Sequence, residues 1–287
     1  MRRRLILLAA LLALGATCST TRLARLGISG IWPRGAVLVN GAPQAGPQAW
    51  AEYWAFVGGA SEYVVVHGQH GTVSAAIAQV NAASGKPAIV VTEAPESDDL
   101  TGYKASVVAA VATWNVLAWC VGNEIENRTD LAALALRIDQ IAAAIKAARP
   151  SVQTCVVFQY ERAKALPDAA TRAALFRVDA VAFTSYPSAL SGYTTAAAVP
   201  SSHYASMLPI AGSKGTLVTE VGWPTGPEQA PFVARLPALL PSKLSSAAWF
   251  SAYDYGSAAP APFGAMGIAG RPAETEWRRL LAVPRAS

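Results

Sequence analysis

Beyond Arg2, Arg3 and Arg4 the chain has no run of basic residues. Taking those three from the formal net charge of +5 leaves +2. A nucleic-acid partner therefore has little electrostatic support. Charge of either sign is scarce, at 14% of 287 residues against 53% hydrophobic. That balance suits a large packed core. Cysteine is limited to Cys18, Cys120 and Cys155. A chain of this length needs no disulfides for stability, so Cys120 and Cys155 read as small core residues, with a disulfide between them as the less favoured alternative. Histidine is limited to His67, His70 and His203. The pair in HGQH has no placed third ligand, and a catalytic zinc usually takes three. No metal and no cofactor is expected, and His67 and His70 read as substrate-contacting or plain loop residues. No GxGxxG or GxxxxGK[ST] loop follows an apolar run, and there is no GxSxG elbow. These absences weaken nucleotide-binding and α/β-hydrolase readings.

At the N-terminus the three arginines precede an apolar stretch, Leu5 to Leu14, and then small residues. The stretch is shorter than the ~20 residues of a membrane span. The pattern is that of a secretory signal over residues 1–20. Cys18 offers lipidation as an alternative, and only that would tie the protein to a membrane. The residue three places before it is Gly15, where a lipobox prefers leucine, so plain export is preferred. Residues 21–34 read as a tether and 35–287 as one domain.

From residue 36 a unit recurs: a short apolar run, a polar end, then an amphipathic or Ala-rich stretch. The runs are AVLVNG (36–41), EYVVVHGQ (62–69), PAIVVTEA (87–94), VLAWCVGNE (116–124), VQTCVVFQY (152–160), AVAFTSYP (180–187), TLVTEVGWP (216–224) and AAWFSAYDY (247–255). Near-continuous apolar runs suit parallel strands buried on both faces. Eight strand–helix units predict an α/β fold, a (β/α)₈ barrel in a single domain. A doubly wound open sheet is the rival.

In such barrels chemistry occurs at the C-terminal ends of the strands. Of 18 acidic residues, six fall there: Glu93, Glu124, Glu126, Glu161, Glu220 and Asp254. Glu124 follows Val121-Gly122-Asn123, and Glu220 precedes Gly222-Trp223-Pro224. Strands four and seven face each other across a barrel mouth, so these two side chains can converge on one bond. Gly122 and Gly222 would let a ligand approach the backbone. A retaining glycosidase holds its two carboxyls about 5–5.5 Å apart. Glu126 reads as a local partner of Arg128, and Glu161 as an ion pair with Arg162.

The segments WCVGNEIE and LVTEVGWPT, with FTSYP and AWFSAYDY, resemble the retaining glycoside hydrolases of clan A. The wording VGNEI plus TEVGWP is most similar to glycoside hydrolase family 17, the β-1,3-glucanases and glucanosyltransferases. Family 53, the β-1,4-galactanases, is similar around Gly-Asn-Glu. The resemblance implies Glu124 as general acid/base and Glu220 as nucleophile. It implies Asn123 on the sugar 2-hydroxyl, Tyr186 as a donor to Glu220, and Trp249 as the sugar-subsite floor. Tyr253, further along that strand, joins the substrate-binding set. It implies a polysaccharide or oligosaccharide substrate, β-glucan favoured. The N-terminal pattern places the protein in the periplasm or outside the cell, and a monomer is expected. Transglycosylation, or a β-1,4-galactanase-like activity, is an alternative on the same site. A non-catalytic carbohydrate-binding protein of the cell envelope is an alternative of another class.

Overall fold

A computed structural model describes residues 24–285, apart from 32, 35, 40–41, 69, 98, 164–168, 242–243 and 254–266. The expected signal segment and Cys18 lie outside the described residues. Eight parallel strands close into a barrel. They are β1 (Arg25–Ser29), β2 (Tyr63–His67), β3 (Ala88–Thr92), β4 (Val116–Val121), β5 (Gln153–Gln159), β6 (Ala180–Ser185), β7 (Gly215–Val221) and β8 (Leu244–Phe250). The main helices between and after them are α1 (Pro47–Ala60), α2 (His70–Ser84), α3 (Thr101–Thr113), α4 (Leu131–Ala148), α5 (Ala169–Leu175), α6 (Met207–Ala211), α7 (Gln229–Leu239) and α8 (Pro272–Ala282). No described helix is long and apolar enough to cross a membrane. Pro47 and Pro272 open α1 and α8, where a missing N–H costs no helical bond and the fixed φ suits the first turn.

The first strand is not where the apolar runs place it. Arg25–Ser29, inside the expected tether, pairs with both β8 and β2 and closes the barrel. The domain therefore begins before residue 35. The run at 36–41 supplies Val37–Val39, one arm of a two-stranded antiparallel hairpin with Ala42–Gln44. Val37 and Val39 are exposed there. The reason is packing inside the barrel. An added Cβ at Gly27 would come within 2.5 Å of the Tyr63 ring. The first strand must be thin at that point, so it lacks the apolar density that marks its neighbours.

Alternation along each strand makes two cores. Tyr63, Val65, Ile89, Val91, Ala118, Val157, Ala182, Leu217 and Ala248 face inward and fill the barrel. Ile28, Val64, Val90, Trp119, Phe158, Phe183 and Val218 face outward into the helix layer. In α4, Leu134, Ile138, Ile141 and Ile145 recur at helical spacing and are buried in that layer.

Cys120 and Cys155 form a disulfide rather than two separate thiols. They are register partners on β4 and β5, and both face the interior. That placement sets the two sulfurs side by side.

Candidate active site

Strand β4 leaves the sheet through a strained turn. Gly122 has φ +97°, and an added Cβ would meet Ile125 Cγ2 at 2.7 Å. The space expected for a ligand is filled by Ile125, which is buried and pins the turn. Glu124 follows with φ 46° and ψ 51°, the one non-glycine residue with positive φ among those described. Left-handed backbone costs an ordinary residue about 1–2 kcal/mol. Such strain persists where surrounding structure enforces it, commonly at functional sites. Here it accompanies a 2.6 Å hydrogen bond from Thr184 Oγ1 to Glu124 Oε1.

Strand β7 reaches the same place by a different device. Leu217 faces the interior and Val218 the helices. Plain alternation would then send residue 219 inward and Glu220 outward. Instead Phe183 pairs with Val218 and Thr184 with Glu220, so β7 carries one extra residue, Thr219. A bulge of this kind re-aims the side chains that follow it. Glu220 turns inward and Val221 joins the outer layer.

Two groups meet the Glu220 carboxylate. His67 Nε2, at the end of β2, lies 2.9 Å from Oε1, and Tyr186 Oη donates to Oε2. His67 Nε2 is also 2.9 Å from Ser29 Oγ. Neither role expected for His67 includes this contact. A histidine at a strand end is visible in the sequence; its partner 153 residues away, from position 67 to 220, is not.

The two carboxyls are driven apart in acidity. Burial alone would raise Glu220, but His67, through charge and hydrogen bond, and Tyr186 outweigh it and hold Glu220 below the usual carboxylate range. Burial also raises Glu124, the Thr184 bond opposes this, and the charges of Glu220 and Glu126 add to the rise. Glu124 ends above the usual range. One carboxyl is biased toward the ionised form and the other toward the protonated form, as in an acid/base pair.

Asn123 stands beside Glu124, and its Oδ1 is buried with no protein partner. Glu126 does not pair with Arg128. It accepts from the Gln159 N–H at 3.1 Å, while Arg128 makes two 2.8 Å bonds to Asp130. Glu161 does not pair with Arg162; it accepts from Ser185 Oγ at 2.7 Å and from the Tyr186 N–H at 3.2 Å. Asp254 and Tyr255 lie outside the described residues.

Two expected substrate contacts lie elsewhere. Trp249 is 0% exposed and packs against Phe232 and Trp277 in the helix layer. The reason is register: Trp249 pairs with Ile28 and Val221, both outward-facing. The inward residue is Phe250, partner of Ser29, half-buried and 6.2 Å edge-on from the Tyr186 ring. Ala248 two places earlier shares that inward face, which the unbroken apolar run Ala247–Phe250 does not reveal in the sequence. Tyr253 packs near Tyr53 and Phe56 of α1, with the Arg34 guanidinium 5.1 Å from its ring centre.

No family model matches the chain, and no curated protein is similar to it. Solved structures are. The Ignisphaera aggregans GH53 catalytic domain superposes with a TM-score of 0.56 at 12% identity, over 93% of this chain and 97% of that one. An endo-β-1,4-mannanase from Thermotoga petrophila gives 0.59 at 14% identity, over 91% and 76%. A P fluorescens subsp. cellulosa xylanase A in complex with xylopentaose gives 0.55 at 11% identity, over 93% and 100%. At these identities the likeness shows a shared (β/α)₈ barrel.

Proposed function

We propose that the protein is a retaining glycoside hydrolase acting by double displacement. The observation that carries the reading is the Glu124/Glu220 pair at the barrel mouth, with acidities shifted in opposite directions. In the first step a Glu220 oxygen attacks the anomeric carbon as the glycosidic C–O bond breaks, and Glu124 gives its proton to the departing oxygen. Glu220 is then an uncharged ester, which removes a charge that raised Glu124. In the second step Glu124 takes a proton from water, the water oxygen bonds the anomeric carbon, and Glu220 leaves as a carboxylate. His67 and Tyr186 hold the nucleophile. Asn123 offers its unpartnered oxygen to a sugar hydroxyl, and Phe250 takes the platform role first given to Trp249.

The substrate class is a β-linked polysaccharide or oligosaccharide. β-Glucan is favoured by the VGNEI and TEVGWP segments that resemble family 17. The structural neighbours named for mannan and xylan cleavage support a β-glycan without selecting among sugars. A sugar hydroxyl in place of water would make the same site a transglycosylase. Export is supported by the N-terminal pattern and by the Cys120–Cys155 bond, since disulfides persist in oxidising compartments.

The test is turnover of laminarin, β-1,4-galactan and mannan, with product analysis. Wild type, Glu124→Gln and Glu220→Gln are compared. Loss of turnover in both variants is expected, along with covalent labelling of Glu220 by a 2-deoxy-2-fluoro glycoside. Unchanged activity in either variant removes the assigned roles. Glycan binding with no turnover by wild type favours the binding-protein alternative.

A further inference from the structure

Strand β5 delivers a buried carboxylate that the two-step scheme does not use. Glu161 lies in the short helical turn Tyr160–Ala163, and its side chain is 7% exposed. Its Oε1 takes two donors from the end of β6, Ser185 Oγ and the Tyr186 N–H. Gln159 Nε2 donates to Oε2. His203 Nε2, from the loop between β6 and α6, lies 3.7 Å from Oε1. The imidazole is walled by the edges of Tyr160, Tyr193 and Tyr204, at centroid distances of 5.4, 5.4 and 4.5 Å. Ser185 Oγ is also 3.1 Å from Tyr204 Oη.

A carboxylate taken from water is costly unless hydrogen bonds and charge compensate it. Glu161 spends its acceptors on two consecutive residues, and the second is Tyr186, the donor to Glu220. Hydrogen bonds to a carboxylate are stronger than neutral ones; here they are 2.7 Å from Ser185 Oγ and 3.2 Å from the Tyr186 N–H. We propose that Glu161 is a positioning residue. It anchors the Ser185–Tyr186 end of β6, with His203 packed behind it, so that the Tyr186 phenol meets Glu220 in one fixed geometry. The inference rests on the reading of Glu220 as nucleophile.

The charge of Glu161 is felt at Tyr186, Tyr204 and Tyr160, helping to keep all three phenols protonated. Glu124 and Glu220 act on Tyr186 in the same sense. Removing the Glu161 charge alone makes the Tyr186 phenol a stronger donor to Glu220. The acid limb of the rate profile then moves to lower pH.

The experiment uses the full chain and the glycan that wild type turns over. Glu161→Ala is expected to lower kcat on the order of 10²-fold, with KM changed far less. Glu161→Gln, which keeps an acceptor oxygen, is expected to recover most of kcat and to show the acid limb displaced downward. A folded Glu161→Ala with wild-type kcat overturns the proposal. If that variant does not fold, a wild-type pH profile in Glu161→Gln overturns it instead. Amide hydrogen exchange at Tyr186 separates this inference from the glycosidase reading. An inactive wild type whose Tyr186 amide loses protection in Glu161→Ala and keeps it in Glu161→Gln removes the enzyme but keeps the anchor. Unchanged protection in a folded Glu161→Ala removes the anchor.

Discussion

Thr184 and Tyr186, two residues apart at one strand end, each hold one carboxylate of the candidate site. Thr184 Oγ1 donates to Glu124, and Tyr186 Oη donates to Glu220. Ser185 between them donates to Glu161. Strand β6, which supplies neither carboxyl of the pair, thus sets where both stand.

The pH profile should respond to each of these contacts with a predictable sign. Under the proposed double displacement, activity needs Glu220 ionised and Glu124 protonated, so Glu220 governs the acid limb and Glu124 the alkaline limb, as macroscopic values of a coupled pair. His67 lowers Glu220. In His67→Gln the acid limb should move to higher pH, and kcat/KM should fall most at low pH. An unmoved acid limb would show that His67 does not tune Glu220.

Thr184→Val removes a bond that lowers Glu124. The alkaline limb should therefore move to higher pH while the acid limb stays in place. Rate–pH profiles on a single substrate read both limbs in one experiment.

Trp249 and Phe250 are adjacent in sequence but separate in role. Trp249→Ala opens a hole in the helix layer and should cost about 3–5 kcal/mol of stability, as large aromatic truncations do. Phe250→Ala, at the mouth, should leave the denaturation midpoint nearly unchanged and raise KM. Denaturant titration beside steady-state kinetics tests the contrast, and the reverse pattern would restore Trp249 as the platform.

The Cys120–Cys155 bond closes a loop between positions 35 apart in sequence. Loop-closure entropy then gives about 4 kcal/mol of stabilisation. Cys120→Ala with Cys155→Ala should lower the unfolding free energy by up to that amount. Alkylation of unfolded, unreduced protein should find no free thiol at either position. Labelling at both would place two thiols there.

Gly122→Ala meets two obstacles, a left-handed backbone and the Ile125 side chain. It should cost roughly 1–3 kcal/mol. It should also lower activity more than stability alone explains, because the turn it distorts carries Glu124. Equal stability and activity would mean that the turn relaxes without moving the carboxyl.

Seven of the eight strands were legible because each is a dense apolar run ending in polar residues. Strand β1 was not. Its inward position is Gly27, kept small for the Tyr63 ring, so Arg-Leu-Gly-Ile-Ser lacks a strand's apolar density. Val37–Val39 had that density but lies in an exposed hairpin. Glu124 and Glu220 stood out locally through Gly-Asn-Glu and Glu-Val-Gly-Trp-Pro. Trp249 was misplaced because inside and outside swap with every residue, and the apolar run fixes no register. The pairings of His67 with Glu220 and of Glu161 with Ser185 join separate strand ends. Periodicity within one segment cannot express them.

In β7 the direction of one side chain depends on how the strand absorbs an extra residue. Given a regular place in the alternation, Thr219 would turn Glu220 toward the helices and Val221 into the barrel mouth; with Thr219 deleted, Glu220 would follow Val218 directly and still face inward. The hydrophobic pattern that builds the barrel would survive almost whole. The aim of this carboxylate is therefore set by how one strand accommodates a single residue, which no side chain in the strand records.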